Sequence, residues 1–275
     1  MAGAATAGSV RDALNGAIDA LRAAGVESPR LDAELLLAEA TGWDRARFAA
    51  DSDVGVPADA GRRFGESVRR RLRREPVAYI LGRRGFRKIE LGVDRRVLIP
   101  RPETELLVEL ALELRPASVL DVGTGSGAIA LAIADELPGC EVTATDTSPA
   151  ALEVARTNAE RLGLSGRVRF LESSIPEGDS FDLTVANLPY VADPDWPSLQ
   201  PEVTKWEPRE ALLAGPDGLD AIRAAVLQVQ QGTLALEVGE GQAEDVAELL
   251  RDAGFTEIRA RRDLAAIERV VVGER

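Results

Sequence analysis

Hydrophobic and polar positions change period twice along the chain. In SVRDALNGAIDALRAAGV, Val10, Leu14, Ile18 and Leu21 recur at three- and four-residue spacing, which predicts an amphipathic helix. SPRLDAELLLAEATG opens with Ser28 as N-cap and Pro29 at the first helical position, and it stops at Gly42. PADAGRRFGESVRRRLRRE starts at Pro57 and ends before Pro76. Residues 1–75 therefore read as a small helical bundle. Across 76–100, β-rich runs separated by Gly82, Gly85 and Gly92 predict a connector made of a hairpin or two. The helix ETELLVELALEL leads into the region 101–275. There SVLDVG, EVTATD, RVRFLES, FDLTVAN, TLALEVG, FTEIRA and AAIERVVVG read as strands, separated by helical patterns such as AIALAIADEL and PAALEVARTNAERLG. Such alternation predicts an α/β fold with a seven-stranded, mostly parallel, Rossmann-like sheet covered on both faces. The last two strands have no helix between them, so one of them should run antiparallel.

Composition narrows the possibilities. With 275 residues, 45% of them hydrophobic, the chain can bury an ordinary core. No apolar run approaches the roughly 20 residues that span a bilayer, and MAGAATAGSVRDA lacks the features of a secretory signal. Cys140 is the single cysteine, in the turn LPGCEV, so an internal disulfide framework is excluded and a reducing cytoplasm is expected. The chain has no histidine, which removes a His general base, a Ser-His-Asp triad and His metal ligands; no metal site is expected.

Charge is uneven. The net −13 argues against broad nucleic-acid binding, and no direct DNA contact or membrane association is expected. Residues 61–101 nevertheless hold 13 Arg and Lys88 against four acids, a net of +10, which leaves −23 on the remainder. That stretch reads either as a solvated helix face with a basic linker or as a patch that docks an acidic partner.

Two loops carry candidate chemistry. VLDVGTGSG is a buried strand followed by Gly123, Gly125 and Gly127, where the backbone can approach a ligand closely. The next strand ends at Asp146, where an open α/β sheet presents a carboxylate to ribose hydroxyls. The glycines fall at alternate positions, so this is not the dinucleotide fingerprint. The second loop is Asn187-Leu188-Pro189-Tyr190, at the end of the fourth strand of the sheet. Such a tetrad can hold a planar NH2 group by accepting both of its N–H bonds, through the Asn187 oxygen and the Leu188 carbonyl. Pro189 biases Leu188 toward extended backbone, and Tyr190 can pack on the flat group. The tetrad alone does not say whether that NH2 belongs to a nucleobase or to a protein amide.

Asp-x-Gly-x-Gly-x-Gly with an acidic second strand end resembles the S-adenosylmethionine-dependent methyltransferases. The resemblance implies that Gly123, Thr124, Gly125, Ser126 and Gly127 form the cofactor loop, with Asp146 on the ribose. Asn187 borders the same cofactor. The adenine side falls on LESSIPEGD, where Ile175 is the expected contact and Ser174 departs from the usual acidic residue. More specifically, LDAELLLAEATG, EPVAYILGRRGF, VLIPRPETELLVE, NLPYV, WEPREALLAGPDGLDAIR, LALEVGEGQAEDV and RRDLAAIERVV together resemble the bacterial release factor glutamine methyltransferases over nearly the whole chain. This implies methyl transfer to the glutamine amide of the Gly-Gly-Gln motif in class 1 peptide chain release factors. Asn187, Pro189 and Tyr190 would be catalytic, and residues 187–190 would cradle the substrate. It also implies an N-terminal helical docking domain (1–75), a hairpin connector (76–100), a methyltransferase domain (101–275) and a monomer. The alternative substrates are a ribosomal protein glutamine and an rRNA adenine. Two departures stand out: Leu188 replaces the usual first proline, and Ala266 occupies the glycine of DL-x-G-x-x-R.

Overall fold

A computed structural model describes residues 6–176 and 180–275, which divide into two units. Residues 177–179, the end of the LESSIPEGD turn, lie outside the described residues, as do residues 1–5.

The first unit comprises the chain up to Gly82 together with Pro201–Trp206. Strand β1 (Thr6–Ser9) runs into α1 (Val10–Ala23), and Ser9 closes a capping box with Asp12. Helices α2 (Pro29–Thr41) and α3 (Arg45–Ala50) follow, then β2 (Gly55–Pro57), which pairs with β1, then α4 (Ala58–Leu72) and α5 (Val77–Leu81). Leu14, Ile18, Leu21, Leu36, Leu37 and Phe64 meet in one core. The segment 77–81, expected to be β-rich, is helical. Pro76 stands at its N-cap and Gly82 closes it with a left-handed C-cap, and two such stops frame one short turn of helix more readily than a strand. Asp32 and Glu202 are buried on either side of Arg71, at 2.7 Å each, and Arg74 grips Glu202 at 2.6 Å. The helix α9 (Pro201–Trp206) belongs to this unit, and Glu202 is its buried charge.

In the second unit the hairpin β3 (Arg83–Phe86) and β4 (Ile89–Gly92) precedes α6 (Glu105–Leu114). The sheet then builds through β5 (Ser118–Val122), α7 (Ala128–Glu136), β6 (Glu141–Asp146), α8 (Pro149–Leu162), β7 (Val168–Glu172) and β8 (Leu183–Ala186). It finishes with α10 (Asp220–Gln228), β9 (Thr233–Glu237), α11 (Ala243–Asp252), β10 (Thr256–Arg262) and β11 (Glu268–Glu274). The seven strands lie in the order β10-β11-β9-β8-β5-β6-β7, and β11 alone runs against its neighbours. Central β5 and β8 are buried almost throughout, as strands covered on both faces must be. Chain order turns outward in both directions from the β5–β8 pair. This switch opens a crevice beyond the carboxyl ends of those two strands. Asn158 of α8 holds β4 by bonding both the N–H and the carbonyl of Gly92. Among the described residues no helix is long and apolar enough to cross a membrane.

Candidate active site

The crevice at the switch point is lined on one side by the loop after β5 and on the other by the residues after β8. Gly123, Thr124, Gly125 and Ser126 form the first wall, and Asn187, Leu188 and Pro189 the second. Asp146, Thr147 and Ser148 close one end with Ser173 and Ser174. Segments 96–100 and 208–211 also contribute, with Thr104. A methyl group added to Gly123 would stand 3.4 Å from the Leu188 side chain, so the two walls meet there.

Each loop is held by bonds its own sequence supplies. Gly123 and Thr124 both donate to the Thr145 carbonyl, at 2.9 and 2.8 Å. Gly127 is the left-handed N-cap of α7. Beneath the loop Asp121, fully buried, accepts from the Thr124 hydroxyl at 2.6 Å and from Ala130 N–H at 3.1 Å, both on one oxygen. Burial pushes its pKa up to about 7, against the pull of those two bonds, and its second oxygen has no hydrogen-bond partner among the described residues. Asp146 accepts from Gly125 N–H on one oxygen and Ser148 N–H on the other, both at 2.9 Å. Each of those oxygens retains capacity to accept a further bond, and Asp146 lines the cleft, which suits a vicinal diol. The Ser173 hydroxyl, at the end of the next strand, is buried without a partner among the described residues. A carboxylate, an unspent hydroxyl and a glycine-rich backbone turn are a donor and acceptor set that fits a nucleoside with a short polar tail.

The Asn187 side chain donates through Nδ2 to the Thr104 hydroxyl at 3.0 Å, and its Oδ1 accepts no bond among the described residues. Thr104 neighbours Glu237, at the end of β9, and opposes the rise that burial imposes on the pKa of that acid. The backbone beyond the tetrad is fixed by three other segments. Val191 exchanges backbone bonds with Leu212 and Ala214, at 2.8 and 3.0 Å. The Tyr190 carbonyl accepts from the Gln242 amide at 3.0 Å, and the other end of that amide accepts from Gly239 N–H at 2.8 Å. Gly218 lies directly beneath this carbonyl: a Cβ there would sit 2.4 Å from the oxygen. Buried Glu207 anchors the facing wall, taking Ile99 N–H at 3.1 Å and the Arg101 guanidinium at 2.5 Å. The stretches IPRPETE, NLPY, EPREALLAGPDG and LEVGEGQ thus converge on one end of the sheet.

Most residues singled out from sequence meet in this cleft, and three do not line it. Gly127 starts the helix behind the loop. Ile175 packs against the apolar layer formed by α10, α11 and their strands. Tyr190 packs into the same layer, and burial pushes its hydroxyl up to about 12. Its backbone carbonyl is the acceptor that ties the tetrad to Gln242. Thr104, Glu237 and Glu207 were not singled out from sequence. A buried acid ending a strand and a threonine inside IPRPETE were the available signals. The basic stretch 61–101 is largely neutralised: Arg63, Arg70, Arg71 and Arg74 pair with acids of the first unit. Arg87, Lys88, Arg96 and Arg101 pair with acids of the second.

Comparison with known proteins places these features. Residues 12–82 match a family model described as the PrmC N-terminal domain, and residues 119–206 match one described as a methyltransferase domain. The release factor glutamine methyltransferase of Caulobacter vibrioides is 42% identical over 267 residues, covering 93% of this chain and 92% of that protein. That of Xylella fastidiosa is 45% identical over 267 residues, covering 92% and 96%. Among solved structures, the hMettl16 catalytic domain in complex with the MAT2A 3'UTR hairpin 6 superposes with a TM-score of 0.53 at 17% identity. It covers 67% of this chain and 75% of that one, a likeness of fold.

Proposed function

The chain belongs to the release factor glutamine methyltransferases, and on that premise we propose that its cleft methylates the glutamine amide of the Gly-Gly-Gln motif in class 1 peptide chain release factors. The observation that carries this reading is the Asn187 carboxamide. Its nitrogen is committed to Thr104, and its oxygen is left free beside the glycine-rich loop. An amide nitrogen is a poor nucleophile because resonance draws its lone pair into a C–N bond of about 1.33 Å. Accepting its N–H bonds fixes its orientation and supports the positive charge that grows on nitrogen. The Asn187 oxygen performs this role, with the Leu188 carbonyl as the second acceptor. Pro189 has no N–H to compete and restrains Leu188 to extended backbone. No strong base is needed, because an amide methylated on nitrogen is acidic enough to release its proton to water, and the chain has no histidine to serve as one.

S-adenosylmethionine supplies the electrophilic methyl group when bound. Gly123–Ser126 and Asp146 are the residues that would hold it, with Asp146 on the ribose diol and the Ser173 hydroxyl within the adenine end. The helical unit that matches the PrmC N-terminal domain model is assigned to docking the release factor. With so many of its arginines already paired, that docking should rest on shape and apolar contact more than on free positive charge. Incubation with a labelled methyl donor and either a class 1 release factor or ribosomal components tests the reading. Label in the release factor supports it; label confined to rRNA or to a ribosomal protein overturns it.

A further inference from the structure

We infer that Gln242 is a positioning residue for methyl transfer: its carboxamide staples the far end of the Asn187–Tyr190 cradle to the two loops behind it and holds the cradle in one conformation. The inference rests on the proposed role of that cradle and adds to it a residue that is not among those lining the cleft. Gln242 stands at the N-cap of α11, yet its side chain caps no N–H of that helix. It reaches outward instead, to three separate stretches of backbone.

Its Nε2 donates to the Tyr190 carbonyl at 3.0 Å and to the Asp217 carbonyl at 3.5 Å, and its Oε1 accepts from Gly239 N–H at 2.8 Å. A carboxamide brings two hydrogens and an acceptor oxygen, and here each meets a backbone group of the opposite kind. Carbonyls only accept and an N–H only donates, so a single orientation of the amide fits. No other side chain of this reach supplies the set. An ionised glutamate has no hydrogen to give, lysine accepts nothing, and methionine donates nothing. Two glycines make room for the staple. A Cβ at Gly218 would lie 2.4 Å from the Tyr190 oxygen and 3.0 Å from Nε2; one at Gly239 would lie 2.8 Å from Oε1 and 3.3 Å from Tyr190 Cδ2.

The staple acts at the end of the cradle that the sheet does not hold. On the near side Ala186 pairs with Leu236, the last rung between β8 and β9. The chain then leaves the sheet, and Asn187, Leu188 and Pro189 form a wall of the cleft. At Tyr190 it is caught again, by a side chain and a loop that continue from the same β9. The cradle is thus an arch with both feet on β9 and the turn that follows it. Pro189 fixes its own φ, which leaves the peptides on either side of it as the joints of the arch. The peptide between Tyr190 and Val191 is gripped on both edges. Its N–H donates to the Leu212 carbonyl at 2.8 Å, and its carbonyl takes Gln242. Without the second grip that peptide pivots about the first, and the Leu188 carbonyl loses its fixed aim at the substrate amide.

Steady-state methyl transfer to a class 1 release factor by wild type, Gln242→Met and Gln242→Glu, from mildly acidic to mildly alkaline pH, tests this. Affinity for the demethylated cofactor product is measured alongside by calorimetry. Gln242→Met keeps the reach and loses all three bonds, so kcat should fall about 10–100-fold, the scale of a misplacement near 1 Å. Its KM for the release factor and its product affinity should stay within about twofold, since only the reacting geometry changes. Gln242→Glu still accepts from Gly239, but as a carboxylate it turns an oxygen on the Tyr190 carbonyl; a proton restores the donor. Two facing carbonyls raise that acid above the ordinary glutamate value of about 4.3, toward the assay range. Its kcat relative to wild type at the same pH should therefore climb several-fold as the medium turns acidic, while the ratio for Gln242→Met stays level. Wild-type kcat in Gln242→Met overturns the inference, and so does a loss of product affinity in step with kcat. A level ratio for Gln242→Glu also overturns it, and that ratio alone decides should Gln242→Met fail to fold. A wild-type enzyme that methylates no glutamine overturns the proposed function itself, which separates the two failures.

Discussion

Gly218→Ala probes the link between the tetrad and the stretch EPREALLAGPDG. Gly218 sits at φ +78, and an added Cβ would lie 2.4 Å from the Tyr190 carbonyl oxygen, 3.0 Å from Ala192 N and 3.0 Å from the Gln242 amide. A carbon and an oxygen settle no closer than about 3.3 Å, so the Tyr190 carbonyl must retreat by roughly 0.9 Å. The dihedral alone costs about 1–2 kcal/mol for a residue with a Cβ. Losing the 3.0 Å bond from Gln242 adds about 1 kcal/mol. The expected destabilisation is thus about 2–3 kcal/mol, or roughly 5–10 °C in melting temperature. Tyr190 follows Pro189 directly, so the shift reaches the substrate cradle. A displacement near 1 Å at a reacting centre costs about 100-fold in kcat. Gly163→Ala is the control: it has φ +72 at the C-cap of α8 but nothing within 4 Å of an added Cβ. It should lose stability through the dihedral alone and keep its activity. Differential scanning calorimetry and steady-state kinetics on both variants measure the contrast. A Gly218→Ala enzyme that melts and turns over like Gly163→Ala would refute the steric reasoning.

Asp146→Ala removes the acceptor of Gly125 N–H and Ser148 N–H as well as the ribose contact. Calorimetric affinity for the cofactor product should fall about 10–100-fold, the scale of one or two charge-assisted bonds. Glu202→Gln breaks the buried cluster with Arg71 and Arg74, and urea unfolding at neutral pH should register a loss of about 3 kcal/mol. Burial opposes ionisation of Glu202, but the bonds from Arg74 and Arg71 prevail and hold its pKa below the usual carboxylate value. Its stabilisation is therefore present above that usual value and lost as pH falls through the depressed one, so variant and wild type should converge in acid. Ala266 occupies φ +62 in the turn before β11, the position where the family pattern carries glycine. Ala266→Gly should raise stability by about 0.5–1 kcal/mol, seen as a small rise in melting temperature without a change in kcat.

The sheet was legible because its signals are local. Near-continuous apolar runs such as VLDV and LTVA, punctuated by helices, fix a parallel order, and the missing helix between the last two strands fixes the antiparallel β11. The glycine loop and the Asn187 tetrad were legible for the same reason: each is a short stretch at the end of a strand. What escaped depends on pairs far apart in sequence. Thr104 and Asn187 are separated by 83 residues, and Arg74 and Glu202 by 128. No periodicity marks such a pair, so the sequence left the charges of 61–101 open between a solvated face and a docking patch, whereas many of them are spent on ion pairs. Tyr190 misled for a different reason. Its aromatic ring suggests a stacking platform, and no signal in the sequence shows that the ring also packs against the apolar layer beside β9. Helix α5 escaped because β-prone Val77, Tyr79 and Ile80 between Pro76 and Gly82 suit a strand, while the caps specify a turn of helix.

The central claim is that the Asn187 oxygen holds a glutamine amide for methylation. It is tested most directly by mass spectrometry of the Gly-Gly-Gln peptide from a class 1 release factor treated with methyl donor and either wild type or Asn187→Ala. One methyl group is expected on the side-chain nitrogen of that glutamine with wild type and none with Asn187→Ala, while both proteins bind the cofactor product. A methylated glutamine at an undiminished rate with Asn187→Ala, or an unmodified glutamine with wild type, would contradict it.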